Sequence, residues 1–131
     1  MSRISPGTPF IKEVNMGLLV IVFSVLVALG FHIFVGWQYS IVGAVLAGAL
    51  VKSRPVLAGV STLVLSWGGL IIYNFWVAGP ESIEMIRVIA VLIGDMPPIL
   101  TVILTIGIAA LLGMLGGWLG AVPINKVRKS K

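Results

Sequence analysis

A single histidine, His32, is the residue of this sequence best suited to chemistry. It lies near the end of the first apolar run, residues 16–35, where an ionisable side chain is costly unless it is paired. An imidazole in that position can bind a metal or haem, relay protons or respond to pH. A haem that needs two histidine ligands could not be held by one chain. The simpler interpretation is a neutral imidazole that is hydrogen-bonded near the lipid headgroups, close to Trp37.

A second candidate is Asn74, which lies with Tyr73 near the end of the third apolar run. An amide side chain can form hydrogen bonds between membrane helices. His32 and Gln38 are expected at a similar depth, so we expect Asn74 to pair with one of them. This interpretation makes Asn74 a residue that stabilises the fold, in preference to a substrate site.

The third candidate, Asp95, belongs to a short segment of mixed charge. Three carboxylates in this segment could gather a cation, but a solvated, partly paired surface is the simpler expectation. Two members are three residues apart and can pair on a helix. The four charged residues are Glu81, Glu84, Arg87 and Asp95.

Sequence motifs for catalysis or nucleotide binding are missing from this chain. It has no G-x-x-x-x-G-K, H-E-x-x-H or G-x-S-x-G string. Cysteine is absent, which removes disulfides and thiolate metal sites. We therefore expect a protein that is not an enzyme and has no catalytic residue, cofactor or metal.

The composition is that of a membrane protein. Hydrophobic residues make up 59% of the chain and charged residues 10%, whereas soluble domains carry about 25% charged residues. A chain of 131 residues cannot bury so much apolar surface in water, so lipid is the expected solvent. The predicted fold class is an all-α membrane protein that forms one polytopic domain.

The apolar runs predict four transmembrane helices, at about 16–36, 38–53, 56–77 and 99–121. The second run is short, and a re-entrant segment is its competing interpretation. Residues 83–93 are apolar apart from Glu84 and Arg87 but are too few to cross, so they predict a short interfacial helix before the last span. A re-entrant placement of this helix is left open.

The charges predict that both termini lie in the cytoplasm. With four crossings, eight of the nine basic residues fall on the inner side, as the positive-inside rule requires. The basic tail is interpreted as a topological signal that is attracted to anionic lipid, and nucleic acid is not an expected partner. The expected location is the cell membrane. The inner basic residues are Arg3, Lys12, Lys52, Arg54, Lys126, Arg128, Lys129 and Lys131.

Small residues recur at four-residue spacing in the second and last predicted spans and as adjacent pairs in the third. Such spacing forms a flat face on a helix, which allows two backbones to approach closely. For any single motif we favour packing within a compact, glycine-rich bundle over association between chains. So many small faces in a short chain nevertheless predict a homo-oligomer or a place in a larger membrane complex. The helix-packing candidates are Gly43, Gly48, Gly113, Gly116, Gly117 and Gly120.

Small four-helix multidrug exporters are similar in length and in number of crossings. Their first helix carries an essential glutamate inside the membrane, whereas residues 16–35 hold only Ser24 and His32 as polar side chains. Proton-coupled antiport of that kind is therefore not expected. The sequence favours an accessory subunit or a self-associating helical bundle, and a small oligomeric transporter or channel is the alternative.

Overall fold

The fold is known from a computed structural model that describes the backbone of residues 9–129 and the side chains of residues 15–122. Arg3 and Lys131, which were assigned to the cytoplasmic side, lie outside the described residues, as do the side chains of Lys12, Lys126, Arg128 and Lys129. Every regular element in the described range is helical, which confirms the all-α class. The elements are α1 (Pro9–Phe34), a 3₁₀ helix (Trp37–Ser40), α2 (Ile41–Leu50), α3 (Pro55–Val77), α4 (Gly79–Gly94) and α5 (Pro98–Lys129).

Three of these helices are long and apolar enough to cross a bilayer. The apolar stretches are Asn15–Phe34, Pro55–Val77 and Pro98–Val122, and at 1.5 Å per residue each is about 30 Å or longer. They fit a multi-pass membrane protein. The segment Trp37–Leu50 is also apolar but has only 14 residues, and it is about 23 Å long when its 3₁₀ turn is included.

The short helix α2 is bounded by two local breaks. Gly36 has φ of 145°, a conformation that side-chain-bearing residues rarely adopt, and it separates α1 from the 3₁₀ helix. At the other end Val51 is extended and Arg54 has φ of −144° and ψ of 67°, because Pro55 disfavours helical geometry in the residue before it. The helix therefore ends at Leu50, three residues before the predicted bound of 38–53.

Helix α4 is longer than the predicted segment 83–93, since it begins at Gly79 directly after the single residue Ala78. Pro80 is compatible with this start because the first helical turn needs no N–H donor to an earlier carbonyl. The helix ends where Asp95 takes the left-handed conformation, with φ of 56°. Only Ala90 of α4 is buried, so α4 lies on the surface of the bundle against α3 and α5.

The contacts of α5 fix the relative directions of three helices. Gly113 lies against Gly59, and Gly117 lies against Pro55; the numbers run in opposite senses, so α3 and α5 are antiparallel. The neighbours of α5 on α2 run in the same sense, from Ala44 beside Gly116 to Ala49 beside Gly120. Helices α2 and α5 are therefore parallel, and α2 and α3 are antiparallel.

Helix α1 packs against α2 and α3 on the opposite side of the bundle from α5. Gly43 lies against Ser24 and Ala28, whereas Met16 and Gly17 share a groove with the residues that follow α2. Helices α1 and α2 are consequently antiparallel. The buried residues between the helices are mostly small, and Leu63 is the largest side chain that is fully buried.

Candidate functional site around His32

The structure places His32 in a cluster of four side chains, His32, Trp37, Ser40 and Trp67, which we call the His–Trp cluster. The rings of His32 and Trp67 have centroids 5.9 Å apart and meet at 79°. The rings of Trp37 and Trp67 have centroids 6.2 Å apart and meet at 84°. Both are edge-to-face arrangements, in which the positive edge of one ring meets the negative face of the other.

A short hydrogen-bond chain connects the polar atoms of this cluster. The indole N–H of Trp67 donates to the hydroxyl oxygen of Ser40 at 3.2 Å. The Ser40 hydroxyl in turn donates to the backbone carbonyl of Trp37 at 2.6 Å. Ser40 is completely buried, and these two bonds use its hydroxyl both as an acceptor and as a donor. The hydrogen bond from Trp67 to Ser40 thereby connects the turn between α1 and α2 to the middle of α3.

The imidazole of His32 is the part of the cluster that is not fully bonded. Its Nδ1 atom is buried and has no hydrogen-bond partner within the described residues. The nearby donor, the Trp67 indole, is already bonded to Ser40. In residues 15–122 there is no group of three or more histidine, cysteine, aspartate or glutamate side chains able to hold a metal ion. The contact observed for the ring is its edge-to-face packing against Trp67.

Asn74 does not join this cluster. Its side chain is exposed, and within the described residues no hydrogen bond joins it to His32 or Gln38. The backbone carbonyl of Asn74 does form hydrogen bonds: it accepts from the Ser82 hydroxyl at 3.0 Å and from the Ala78 N–H at 2.9 Å. These bonds fasten the start of α4 to the end of α3.

Asp95 ends α4, and its exposed side chain has no recorded partner in the described part of the chain. The N–H of Asp95 donates to the Val91 carbonyl, and the N–H of Met96 donates to the Ala90 carbonyl, each at 3.2 Å. Such bonds satisfy the last carbonyls of a helix when one residue is left-handed. In the same charged segment Glu84 and Arg87 form an exposed ion pair of 2.9 Å.

The glycines named from sequence all face another helix of the same chain. A Cβ atom on Gly113 would lie 2.6 Å from the Gly59 carbonyl oxygen, and one on Gly116 would lie 2.7 Å from the Ala44 Cβ. These distances are shorter than ordinary van der Waals contact, so only glycine fits. Gly48 and Gly120 lie against α5 and α2 respectively, Gly117 lies against α3, and Gly43 lies against α1.

Three hydroxyls add to the buried polar atoms without a partner in residues 15–122. They are Ser24 Oγ, Ser66 Oγ and Thr101 Oγ1. Two other hydroxyls on the same helices, those of Thr62 and Thr105, donate to the carbonyls four residues earlier. Rotation about χ1 offers the three unpaired hydroxyls the same kind of acceptor.

Trp67 and Ser40 were not expected at a site. The signal for Trp67 is its position in the middle of the third apolar run, because a tryptophan away from the headgroups needs an acceptor for its indole N–H. The signal for Ser40 is weaker, since any serine near a turn can bond to a local carbonyl. Neither signal identifies His32 as the neighbour.

Comparison with known proteins assigns this chain to no family. No protein-family model, curated protein or solved structure matches the chain. The function of the chain must therefore be inferred from its own residues and their contacts.

Proposed function

We propose that this chain is a non-enzymatic small integral membrane protein that crosses the cell membrane four times, with both termini in the cytoplasm. The alternating directions of α1, α2, α3 and α5 support four crossings, because each helix runs opposite to the preceding one. Lys52 and Arg54, in the turn between α2 and α3, then lie on the same side as the basic tail. The proposed role is that of an accessory subunit of a membrane complex or of a self-associating bundle.

The observation that carries this proposal is the distribution of side-chain size. The fully buried residues include Ala28, Ala44, Ala47 and Ala109, whereas residues such as Phe34, Trp76 and Leu92 are more than three quarters exposed. Large apolar side chains on the outside suit contact with lipid tails or with apolar partner helices. Close backbone contact on the inside leaves little room for a substrate between α2, α3 and α5.

A second set of glycines supports association with other chains. Gly69 on α3 and Gly107 on α5 are exposed, and an added Cβ on either would meet no atom within 4 Å. Leu65, Ile72 and Trp76 lie at helical spacing from Gly69 and are also exposed. Small residues flanked by large apolar ones are the pattern by which membrane helices associate.

The test is purification from the native membrane in a mild detergent, followed by measurement of the native mass and identification of co-purifying chains. We expect either a defined multiple of the 13.9 kDa chain or a stoichiometric larger partner. Gly69→Leu and Gly107→Leu should reduce that assembly without changing the fold, because both sites are open. Gly30→Leu, also at an open position, is the matched control. A monomer without any partner would refute this role.

The transporter or channel is the alternative, and the burial of polar side chains between apolar helices is the observation that favours it. Ser24 Oγ, His32 Nδ1, Ser66 Oγ and Thr101 Oγ1 are polar groups inside an otherwise apolar bundle, and such groups mark substrate paths in many membrane proteins. Ion or solute flux into liposomes is the discriminating measurement. Flux that falls when Ser66 or Thr101 is replaced by alanine or valine would favour this alternative over the accessory role.

A further inference from the structure

A groove of about 360 Å³ lies where residues 16–20 of α1 pass the end of α2. Its volume is within the range of about 300–1,000 Å³ that is typical of small-molecule sites. The groove is open along one side. Its lining residues are Met16, Gly17, Val20, Leu50, Val51, Lys52 and Ser53.

The two ends of this groove differ in chemistry. Met16, Val20 and Leu50 form an apolar wall between α1 and α2. Lys52 and Ser53 form a polar rim, and both side chains are exposed. Arg54 follows directly and is also exposed, so two positive charges and a hydroxyl lie at one end of an apolar trough.

The backbone of the rim adds further donors. Among the described residues, the turn between α2 and α3 has backbone hydrogen bonds from Val51 to the Ala47 carbonyl and from Ala58 to the Arg54 carbonyl. Neither uses the N–H groups of Lys52 and Ser53. Within residues 15–122, the N–H groups of Lys52 and Ser53 have no backbone acceptor.

We propose that this groove binds one anionic phospholipid. The lipid phosphate lies against the ammonium group of Lys52, the hydroxyl of Ser53 and the N–H groups of the turn, with Arg54 adding to the positive potential. The first part of an acyl chain lies between α1 and α2. A zwitterionic lipid fills the same trough but has no net charge to match the rim, so the site selects the anionic lipid.

Gly17 keeps the trough open. An added Cβ on Gly17 meets no atom within 4 Å, so the space beside it is empty of protein and a larger side chain there needs no rearrangement. Gly17→Leu therefore fills the trough and leaves the charge of the protein unchanged. This variant separates a defined lipid site from general attraction between a basic protein and an anionic membrane.

The experiment is native mass spectrometry of the full chain released from nanodiscs that contain equal amounts of phosphatidylglycerol and phosphatidylcholine. We expect one retained phosphatidylglycerol per chain. Lys52→Gln should weaken retention about fivefold, as expected for one charge near the membrane surface. Gly17→Leu should weaken it about tenfold, through the lost contacts of about two methylene groups.

Two matched controls keep the test specific. Arg87→Gln also removes one positive charge, and Gly30→Leu also enlarges an open glycine of α1; both should retain the lipid as the parent chain does. Equal retention of the two lipids, or unchanged retention in Gly17→Leu, would overturn the proposal. Displacement of the lipid by millimolar inorganic phosphate would show a phosphate site in place of a lipid site. None of these outcomes depends on whether the chain is an accessory subunit or a transporter.

Discussion

The contact between α3 and α5 is one of the close backbone contacts of the fold, and Gly117→Ala is the substitution that tests it. A Cβ on Gly117 would lie 2.5 Å from the carbonyl oxygen of Pro55 and 2.9 Å from the Cα of Val56. Both are backbone atoms, so no side-chain rotation relieves the contact. To restore an ordinary distance of 3.4 Å, the two helices must separate by about 0.9 Å.

This separation sets the expected magnitude. Overpacking of a close-packed interior costs about 1–3 kcal/mol, and a gap of 0.5–1 Å removes about a quarter to a half of the dispersion energy of the facing atoms. The neighbouring contact of Gly113 with Gly59 lies on the same face of α5, so it loosens as well. We expect Gly117→Ala to lower the free energy of unfolding by about 3 kcal/mol.

The measurement is unfolding in mixed micelles by titration with a denaturing detergent, followed by helical circular dichroism. Gly107→Ala is the matched control, because it adds the same methyl group to the same helix where no atom lies within 4 Å. It should leave stability unchanged or raise it by less than about 1 kcal/mol. Equal unfolding midpoints for the two variants would refute the reasoning. A change in native mass with no change in stability would instead assign this face to contact between chains.

Three further predictions concern single sites. Trp67→Phe keeps one aromatic ring but removes the indole N–H bond to Ser40 and part of the packed ring, and should lower the free energy of unfolding by about 1–3 kcal/mol. His32→Phe, which keeps an aromatic ring against Trp67, should be neutral by the same unfolding measurement, and a loss as large as that of His32→Ala would show that the imidazole nitrogens matter. Asp95→Gly should be neutral or mildly stabilising because φ is 56° there, whereas Asp95→Val should cost about 1–2 kcal/mol; equal stability of the two variants would contradict the left-handed helix end. The chain has no cysteine, so Ser53→Cys gives a single labelling site. An impermeant maleimide should leave this site unmodified in intact cells and modify it after permeabilisation. Labelling in intact cells would show that the turn lies outside, opposite to the proposed topology.

Proline and glycine made the ends of the long helices predictable from the sequence. Helix α3 begins at Pro55 and ends at Val77, against a predicted segment of 56–77, and the apolar part of α5 is 98–122 against 99–121. Proline fits the first turn of a helix but not its interior, so it marks these starts locally. Helix α4 begins at Gly79, before the predicted bound of residue 83, because Pro80 is also compatible with the first turn of a helix.

The residues of other helices that contact the functional candidates could not be predicted from local sequence patterns. Spacing shows that Gly113 and Gly117 share a face of α5, but not that this face meets Gly59 and Pro55. His32 and Trp67 are 35 residues apart in the sequence, and their contact depends on how α1 and α3 align beside α2. That alignment follows from the contacts of all the helices together, and no local pattern encodes it.

The His–Trp cluster also explains how so short a helix as α2 fits this bundle. Ser40 lies beside Trp67, which is twelve residues past Pro55 and ten before Val77, or about 18 Å and 15 Å along α3. The turn between α1 and α2 thus lies level with the middle part of α3, so the four crossings that we propose require the bilayer to thin locally beside this turn. Non-helical backbone at such a depth is tolerated only when its polar groups are bonded within the protein. The N–H groups of Gly36 and Tyr39 donate to carbonyls of Phe31 and Gly36, and the hydroxyl of Ser40 donates to the carbonyl of Trp37, so these three polar groups of the turn are bonded within the protein.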